Sequence, residues 1–520
     1  MNMIDQIVAF FDPTAGRRRL FDRAALQASY EAAQPSRLRK FHRNQASPDQ
    51  LVRQGAIWLR AQARHLERNH DISRGMLRTL VNNVVGPGGI GVEPQPRRPD
   101  GTIHEQYAAD LRAAWRDWQK LPEVTQEHHW AKVQRLVAKT WFRDGEAFSQ
   151  LLRGTVPFLQ HGSKVPFSLE LFEPDMVPMD YEDPAANIRQ GIQRNAWGRR
   201  TGYYVYKSFP GDNAFLARGS DVKRIPAENM LQVAAIDRIG QLRGVSEFAS
   251  VITRIEDIKD YEESERVAAK LAARLTAYIK KLSPDGFNPD SIQRDEQGNP
   301  IPREIAFDPG TIIDGLQVGE EIGLVDTKRP NPNVLTFRQG QLRAASAGIG
   351  ASYSSISRDY DGTYSSQRQE LVEQWVNYAV LTDEFTGMFV QPVWEAFVAI
   401  ADLSGVVPRP KDVAPDLADD AMFVGQAMPW IDPMKEALAW QLLVQCGFAS
   451  EVEVMRKRGV NPYDVLENIT KFRKEAADKG LVLASDFANT KGGAASPADA
   501  PPEPPPQQGR TRSRVGAQAG

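Results

Sequence analysis

The strongest regularity in the chain runs from Glu247 to Lys281, a stretch without glycine or proline. In it Phe248, Val251, Ile255, Ile258, Tyr261, Leu271, Leu275 and Tyr278 recur mostly at three- and four-residue intervals. That spacing puts them on one face and predicts a single amphipathic helix. At about 1.5 Å per residue it would extend roughly 50 Å, the kind of length that braces an extended assembly. Before it, Leu151 to Val233 shortens to alternating and aromatic runs such as SLELFEPDMV and TGYYVYK, broken by Gly, Pro and Asn, and predicts a β-rich unit. After it, Ser283 to Asn333 sets Pro, Gly and Asp around short apolar pieces and predicts a small strand-rich insert. A second helix is predicted over Val334 to Ala347, then the loop GIGASYSSISRDYDGTYSS, then a long helix from Ser366 to Asp402. Ser366 and Gln369 have capping-box spacing, and Pro392 is expected to kink that helix because it lacks a backbone donor.

The flanks are plainer. A helix is predicted from Pro48 to Val81, and the arginines of the first eighty residues (Arg17, Arg18, Arg19, Arg37, Arg39, Arg43) read as a solvated basic face. Beyond Trp430, three helix starts are marked by Asp432-Pro433, Ser450 with Glu453, and Asn461-Pro462, with Gly447, Gly459 and Gly480 placed as C′ glycines. The last thirty or so residues are small, polar and proline-rich, which predicts a disordered tail. The fold class is therefore α+β and predominantly helical.

Composition narrows the function classes. With 520 residues, two to four domains are expected, and 41% hydrophobic with 25% charged residues is ordinary globular usage. A formal charge of −2 argues against a protein that grips nucleic acid over its whole surface, since Lys and Arg supply that affinity. Any contact with DNA is expected to be local. The single cysteine, Cys446, forms no intramolecular disulfide and no thiolate metal site, and the N-terminus lacks a secretory pattern, so a cytosolic origin is expected. No apolar run approaches the eighteen or so residues of a membrane span.

Catalytic motifs are mostly decoys. Gly86-Pro87-Gly88-Gly89-Ile90-Gly91 matches G-x-G-x-x-G, but VEPQPRRPDG stands next in the chain where the fingerprint requires a helix, so a turn is expected. No G-x-x-x-x-G-K-[ST] loop occurs, so the chain is not read as an ATP-hydrolysing motor. His128-His129 and His65/His70 lack zinc-ligand spacing, Asp359-Tyr360-Asp361-Gly362 lacks the remaining ligands of a calcium loop, and G-x-S-x-G elbows are absent. Asp144-Gly145-Glu146 reads as a turn without a His or metal partner. No cofactor, metal or catalytic residue is expected. One charge pattern merits function: Arg266, Lys270, Arg274 and Lys281 recur at intervals of 4, 4 and 7 on the long helix and form one stripe. A solvated face is the plain reading; around a channel the stripe would meet phosphates without reading sequence.

An ordered set of segments resembles the portal proteins of lambda-type tailed phages: LVNNVVGPGGIGV (Leu80 to Val92), FRDGEAF (Phe142 to Phe148), LELFEPDMV (Leu169 to Val177), GIQRNAWGRRTGYYVY (Gly191 to Tyr206), GQLRGVSEFA (Gly240 to Ala249), RDYDGTYSSQRQEL (Arg358 to Leu371) and PWIDPMKEALA (Pro429 to Ala439). The resemblance reaches from about Arg17 to Ala477. It implies a non-enzymatic subunit of a homo-oligomeric ring, typically a dodecamer, at one capsid vertex, with wing, stem, clip and crown regions. The predicted order maps as arm and wing (1–246), stem helix (247–281), clip (282–333), second stem helix (334–347), tunnel loop (348–365), wing helix and linker (366–428), crown (429–480) and tail (481–520).

The implied partners are double-stranded DNA passing without sequence specificity, the terminase large subunit, head-completion or adaptor proteins, and the major capsid and scaffold proteins. Assembly in the bacterial cytoplasm is implied, with no membrane. Arg266, Lys270, Arg274 and Lys281 become candidate channel charges, and Tyr353, Arg358, Tyr360 and Tyr364 candidate tunnel-loop contacts. Rival readings are another head–tail connector or a metal-dependent DNA-processing enzyme built on the DGE and DYDG carboxylates.

Overall fold

The computed structural model describes residues 46–210, 222–273, 277–281, 320–324, 333–428, 433–460 and 462–481, with a few isolated positions besides. The basic N-terminal arm, Arg274, most of the 282–333 insert and all but the first residue of the 481–520 tail lie outside the described residues. The chain divides into two compact units, Met1–Pro433 and Met434–Gly520.

In the first unit, helix α1 (Pro48–Asn69) and helix α2 (Asp71–Val84) occupy the region where the pattern predicts one helix. The break is His70, whose backbone is extended (φ −132°, ψ 121°). Its N–H closes α1 on the Leu66 carbonyl, and its Nδ1 accepts from the Ile72 N–H at 3.2 Å to cap α2. One residue thus satisfies groups at both helix ends. Helices α3 (Glu105–Trp118) and α4 (Trp130–Asp144) come next, and α4 stops at Gly145 with φ 89°.

The β-rich unit forms two antiparallel sheets. In one, β2 (Glu146–Arg153) lies between β3 (Phe167–Phe172) and β8 (Met230–Ala234), with Leu151 opposite Leu169 and Ala147 opposite Val233. The other is a meander of β4 (Ile188–Arg189), β5 (Ile192–Arg194), β6 (Arg200–Tyr206) and β7 (Val222–Pro226). Away from both, β1 (Gly91–Pro94) pairs with β11 (Ala421–Val424), which joins segments more than three hundred residues apart.

The predicted long helix is shorter than its pattern suggested. A 3-10 turn covers Glu247–Ser250, helix α5 spans Ile252–Ala273, and Ala277–Lys281 is a strand, β9, paired with β10 (Glu320–Leu324), Ile279 facing Ile322. Twenty-two residues give a helix of roughly 33 Å. Between Tyr261 and Leu271 the apolar register lapses, and beyond it pairing with a strand some forty residues on decides the conformation. Helix α6 (Val334–Ile349) is as predicted, but the loop after it contains a short helix, α7 (Tyr353–Ser357). The next helix, α8 (Tyr364–Phe385), starts at Thr363, whose side chain accepts from the Ser366 N–H, so Ser366 lies inside the helix and does not cap it. A π-turn at Thr386–Val390 precedes α9 (Gln391–Leu403), which holds Pro392 in its first turn. The interruption therefore falls in the turn just before the proline, which lacks the N–H that would bond the Met388 carbonyl inside it.

The core of this unit centres on aromatics at helical spacing. Trp115 and Trp118 of α3 stack at 4.6 Å, Trp115 meets Trp394 of α9 edge-on at 5.2 Å, and Trp118 stacks on Phe167 of β3 at 5.4 Å. Each such pair adds about 0.5–1.5 kcal/mol beyond its buried area. The second unit holds α10 (Pro433–Gln445), α11 (Glu451–Lys457) and α12 (Pro462–Asp478), each starting where its cap residues predict. Ser450 Oγ accepts from Glu453 N–H at 3.2 Å, and Gly447, Gly459 and Gly480 have φ of 74°, 72° and 65°. Among its described residues only Pro462 and Ala476 are buried. No described helix is long and apolar enough to cross a membrane.

Candidate functional site

Helix α5 packs Ile252, Ile255 and Ile258 into the core, and past Ile258 none of its described side chains is buried. Its outer half carries Arg266 and Lys270 one turn apart, both exposed and without an ion pair among the described residues. Arg274 lies outside the described residues. Lys281 stands in β9 opposite Glu320, so it does not continue the helical stripe. The stripe therefore shortens to Arg266 and Lys270. Helix α6 braces α5 through Arg338 Nε donating to Glu262 at 2.5 Å, Arg254 donating to Gln341 at 2.6 Å, and Phe337 against Tyr261 with rings 4.8 Å apart.

The segment from Gly350 to Thr363 is held by α8. Gln374 Oε1 accepts from Ser352 N–H at 2.8 Å and Ser355 Oγ at 3.0 Å, Ser354 Oγ donates to Glu370 at 2.6 Å, and Asn377 donates to the Gly350 carbonyl at 2.9 Å. Glu370, Gln374 and Asn377, on one face of the helix, thus fix the loop, a pattern invisible to hydrophobic periodicity. Tyr353 turns inward: its hydroxyl donates to Asp359 at 2.9 Å and Arg343 stacks over its ring at 5.1 Å. Burial and that hydrogen bond push its phenol pKa up. Arg358, Tyr360 and Tyr364 point outward, the last two more than half exposed. Arg358 has φ 59°, a left-handed conformation that costs a non-glycine residue about 1–2 kcal/mol. The predicted contacts thus divide into one structural tyrosine and three exposed groups.

The glycine fingerprint is a turn, as expected. Gly86 and Gly89 both have φ 76°, and Gln134 of α4 clamps Ile90 by accepting from its N–H at 2.8 Å and donating to its carbonyl at 3.2 Å. Strand β1 leads away from it.

Asp144-Gly145-Glu146 turns from α4 into β2 at Gly145, and the partners of its two carboxylates are arginines, which the sequence reading did not consider. Glu146 and Arg243 are fully buried, and Arg60 and Asp144 nearly so. Arg243 donates to Glu146 Oε1 through Nε at 2.8 Å and pairs with it through Nη2 at 2.7 Å; it also donates to the carbonyls of Val177 at 3.1 Å, Gln190 at 2.8 Å and Pro174 at 3.2 Å. Arg60 reaches Glu146 and Asp175, each at 3.4 Å. Arg64 donates to Asp144 at 2.7 Å, Asp175 at 2.6 Å and Glu173 at 3.2 Å, while Arg143 grips Asp144 bidentately at 2.8 Å and bonds Glu67 at 3.0 Å. Lys139 completes the set on Glu67. Five cations (Arg60, Arg64, Lys139, Arg143, Arg243) therefore meet five carboxylates (Glu67, Asp144, Glu146, Glu173, Asp175).

Burial pushes the Asp175 carboxyl up, but Arg60 and Arg64 outweigh it and hold it below the usual range; Lys139 and Arg143 do the same for Glu67. A charge-balanced cluster of this kind fixes how α1, α4, β2, the 173–177 turn and the segment before α5 meet. Its sequence signal is charge inside apolar runs, Phe142-Arg143-Asp144-Gly145-Glu146-Ala147-Phe148 and Leu242-Arg243-Gly244-Val245. Among the described residues no group of three or more His, Cys, Asp or Glu side chains is arranged to hold a metal ion.

Comparison with known proteins gives the family. Residues 34–381 match the family described as "Phage portal protein, lambda family". The probable portal protein of Halomonas phage phiHAP-1 is 23% identical over 441 residues, covering 82% of each chain. Portal protein B of Escherichia phage lambda is 23% identical over 320 residues, 57% of this chain and 60% of that one. A chain of a native gene transfer agent virion aligns over 78% of this chain and 94% of its own, with 11% identity and a TM-score of 0.42. With two thirds of its length matched by the family, the chain belongs to the lambda family of phage portal proteins, structural and non-enzymatic components of the virion.

Proposed function

We propose that copies of this chain close into a ring, typically a dodecamer, with α5, α6 and the Gly350–Thr363 segment turned to its bore, and that duplex DNA moves through that bore during packaging and ejection. One observation carries the reading. Helix α5 leaves the core after Ile258 and presents Arg266 and Lys270 to solvent, while α8 holds the neighbouring loop with Arg358, Tyr360 and Tyr364 exposed. Charges so spaced suit backbone phosphates and carry no base-reading geometry. So few of them favour sliding over grip.

Exposed apolar surface supports subunit contact. Val372, Val376 and Val380 repeat every fourth residue along α8 and are 42%, 64% and 53% exposed. The C-terminal unit, the crown of the proposed ring, leaves Leu438, Leu442, Leu466 and Phe472 about 60% exposed. Exposed apolar side chains repeated along a helix suit a protein contact. The 282–333 segment would be the clip, docking the terminase large subunit that hydrolyses ATP and then the head-completion or adaptor proteins, with the wing facing the major capsid and scaffold proteins.

The test combines Arg266→Gln, Lys270→Gln and Arg358→Gln in assembled rings. Packaged, nuclease-protected DNA should fall several-fold with ring assembly unchanged by electron microscopy. Unchanged packaging removes these residues from the mechanism, and a persistent monomer at every concentration overturns the ring.

A further inference from the structure

A second cationic surface lies on other helices. Between α2 and α4 a cleft of about 250 Å³ is lined by Arg74 and Arg78 from one side and by Lys132, Arg135 and Lys139 from the other, with Glu67 at its end. Glu67 is already engaged by Lys139 and Arg143. Arg74, Arg78 and Lys132 make no ion pair among the described residues, and Arg135 donates only to the carbonyls of Gly86 and Pro87, at 3.3 Å and 2.5 Å. Four positive charges therefore converge on one cleft whose one carboxylate, Glu67, is paired with Lys139 and Arg143 and with none of the four, in a chain whose net charge is −2. Such convergence is unfavourable unless an anion relieves it.

Two details favour an anion over chance. Lys132 sits in the first turn of α4, which holds no acidic residue, although the helix dipole favours a negative charge there. Arg74 and Arg78 are one helical turn apart, about 6 Å along the axis, and so form a row, with Lys132, Arg135 and Lys139 as a facing row. No aromatic side chain lines the cleft, so bases have nothing to stack on. Guanidinium forks and ammonium groups in rows suit phosphate oxyanions.

We propose that this cleft binds backbone phosphates of duplex DNA through residues other than the proposed channel groups Arg266, Lys270 and Arg358. The proposal requires that DNA be near the protein, as the portal reading has it, but uses none of the channel residues.

The experiment is fluorescence anisotropy of a labelled duplex with the full chain across a salt series. Each phosphate contact adds about 0.9 to the slope of log K against log salt. Removing three contacts with Arg74→Gln, Arg78→Gln and Lys132→Gln should lower the slope by about 2.7, so wild type should lose roughly 40-fold more affinity than the variant between about 50 and 200 mM salt. A melting curve checks the fold, and if the triple variant is unstable, Arg74→Gln with Arg78→Gln should lower the slope by about 1.8. An unchanged slope overturns the proposal.

Two further arms separate the sources. If inorganic phosphate raises the melting temperature of wild type over the variant while the DNA slope is unchanged, the cleft takes free phosphate and the DNA assignment falls. If a poly-glutamate peptide binds wild type but not the variant, again with an unchanged DNA slope, an acidic protein is the partner and the proposal falls. Arg266→Gln with Lys270→Gln, run in parallel, reports on the channel alone, so either contact can fail without the other.

Discussion

Replacing Glu146 by Gln tests the buried charge network most directly. The carboxylate is fully buried. Its Oε1 faces Arg243 and Arg60, and its Oε2 accepts from Gln232 Nε2 at 3.0 Å and the Gly244 N–H at 3.2 Å. Glutamine keeps the shape but removes the charge, and its NH2 group must point at one of two pairs of donors. Two buried guanidinium groups lose their shared counter-charge, and breaking a buried pair from one side costs about 3–5 kcal/mol. Urea unfolding followed by tryptophan fluorescence reads this, because Trp115, Trp118, Trp130, Trp141 and Trp394 are all buried in the first unit. With an m-value of about 3 kcal/mol/M, the midpoint should fall by roughly 1–1.7 M. Glu453→Gln, which removes a pair exposed on a helix surface, should leave the midpoint where it is. Adding Arg243→Met should not restore stability, since the Val177, Gln190 and Pro174 carbonyls would then lose their donor. A Glu146→Gln shift below about 0.3 M would refute the view that the network holds α1, α4 and β2 together.

Three residues should give the chain a distinctive pH response. Asp175 and Glu67 titrate below their usual values in the fold, so their contribution is present above pH ~4 and is lost as pH falls through their folded pKa values. Glu247 behaves oppositely: burial, with Asp237 and Glu384 nearby, raises its pKa, so its contribution is full below pH ~4 and is lost as pH rises through the folded value. Glu247→Gln should therefore raise the melting temperature at pH 7 but not at pH 4, and an equal effect at both would contradict the assignment. Gly145→Ala should destabilise beyond the 1–2 kcal/mol or so of a left-handed alanine, because its Cβ would stand 2.4 Å from Val245 C and 2.6 Å from Ser246 N. Gly154→Ala, with φ 72° and open space, should show the conformational part alone in the same urea titration.

Local signals settled much of the architecture. The C-terminal helices start at Pro433, Glu451 and Pro462 because a proline at the first helical position, the Ser450 cap and C′ glycines act within a turn of chain, and the β-rich unit announced itself by alternation over single strands. The prolines and charges after the glycine fingerprint ruled out a helix there, and strand β1 occupies that position. Contacts between distant segments were another matter. Helix α5 ends near Ala273 because the chain beyond it pairs with Glu320–Leu324, and the Tyr353–Ser357 helix exists because Gln374, Glu370 and Asn377 of α8 satisfy the loop around it. The charge network joins residues up to 115 positions apart, as in Arg64 with Asp144, 80 apart, and Arg60 with Asp175, 115 apart. An arginine within an apolar run shows in the sequence; which carboxylate meets it does not, because ion pairing depends on distances of a few ångströms that only the packed helices and sheets set. For the same reason the sequence nominated a four-residue stripe by helical spacing, and the tertiary structure left Arg266 and Lys270 on the helix while moving Lys281 to a strand.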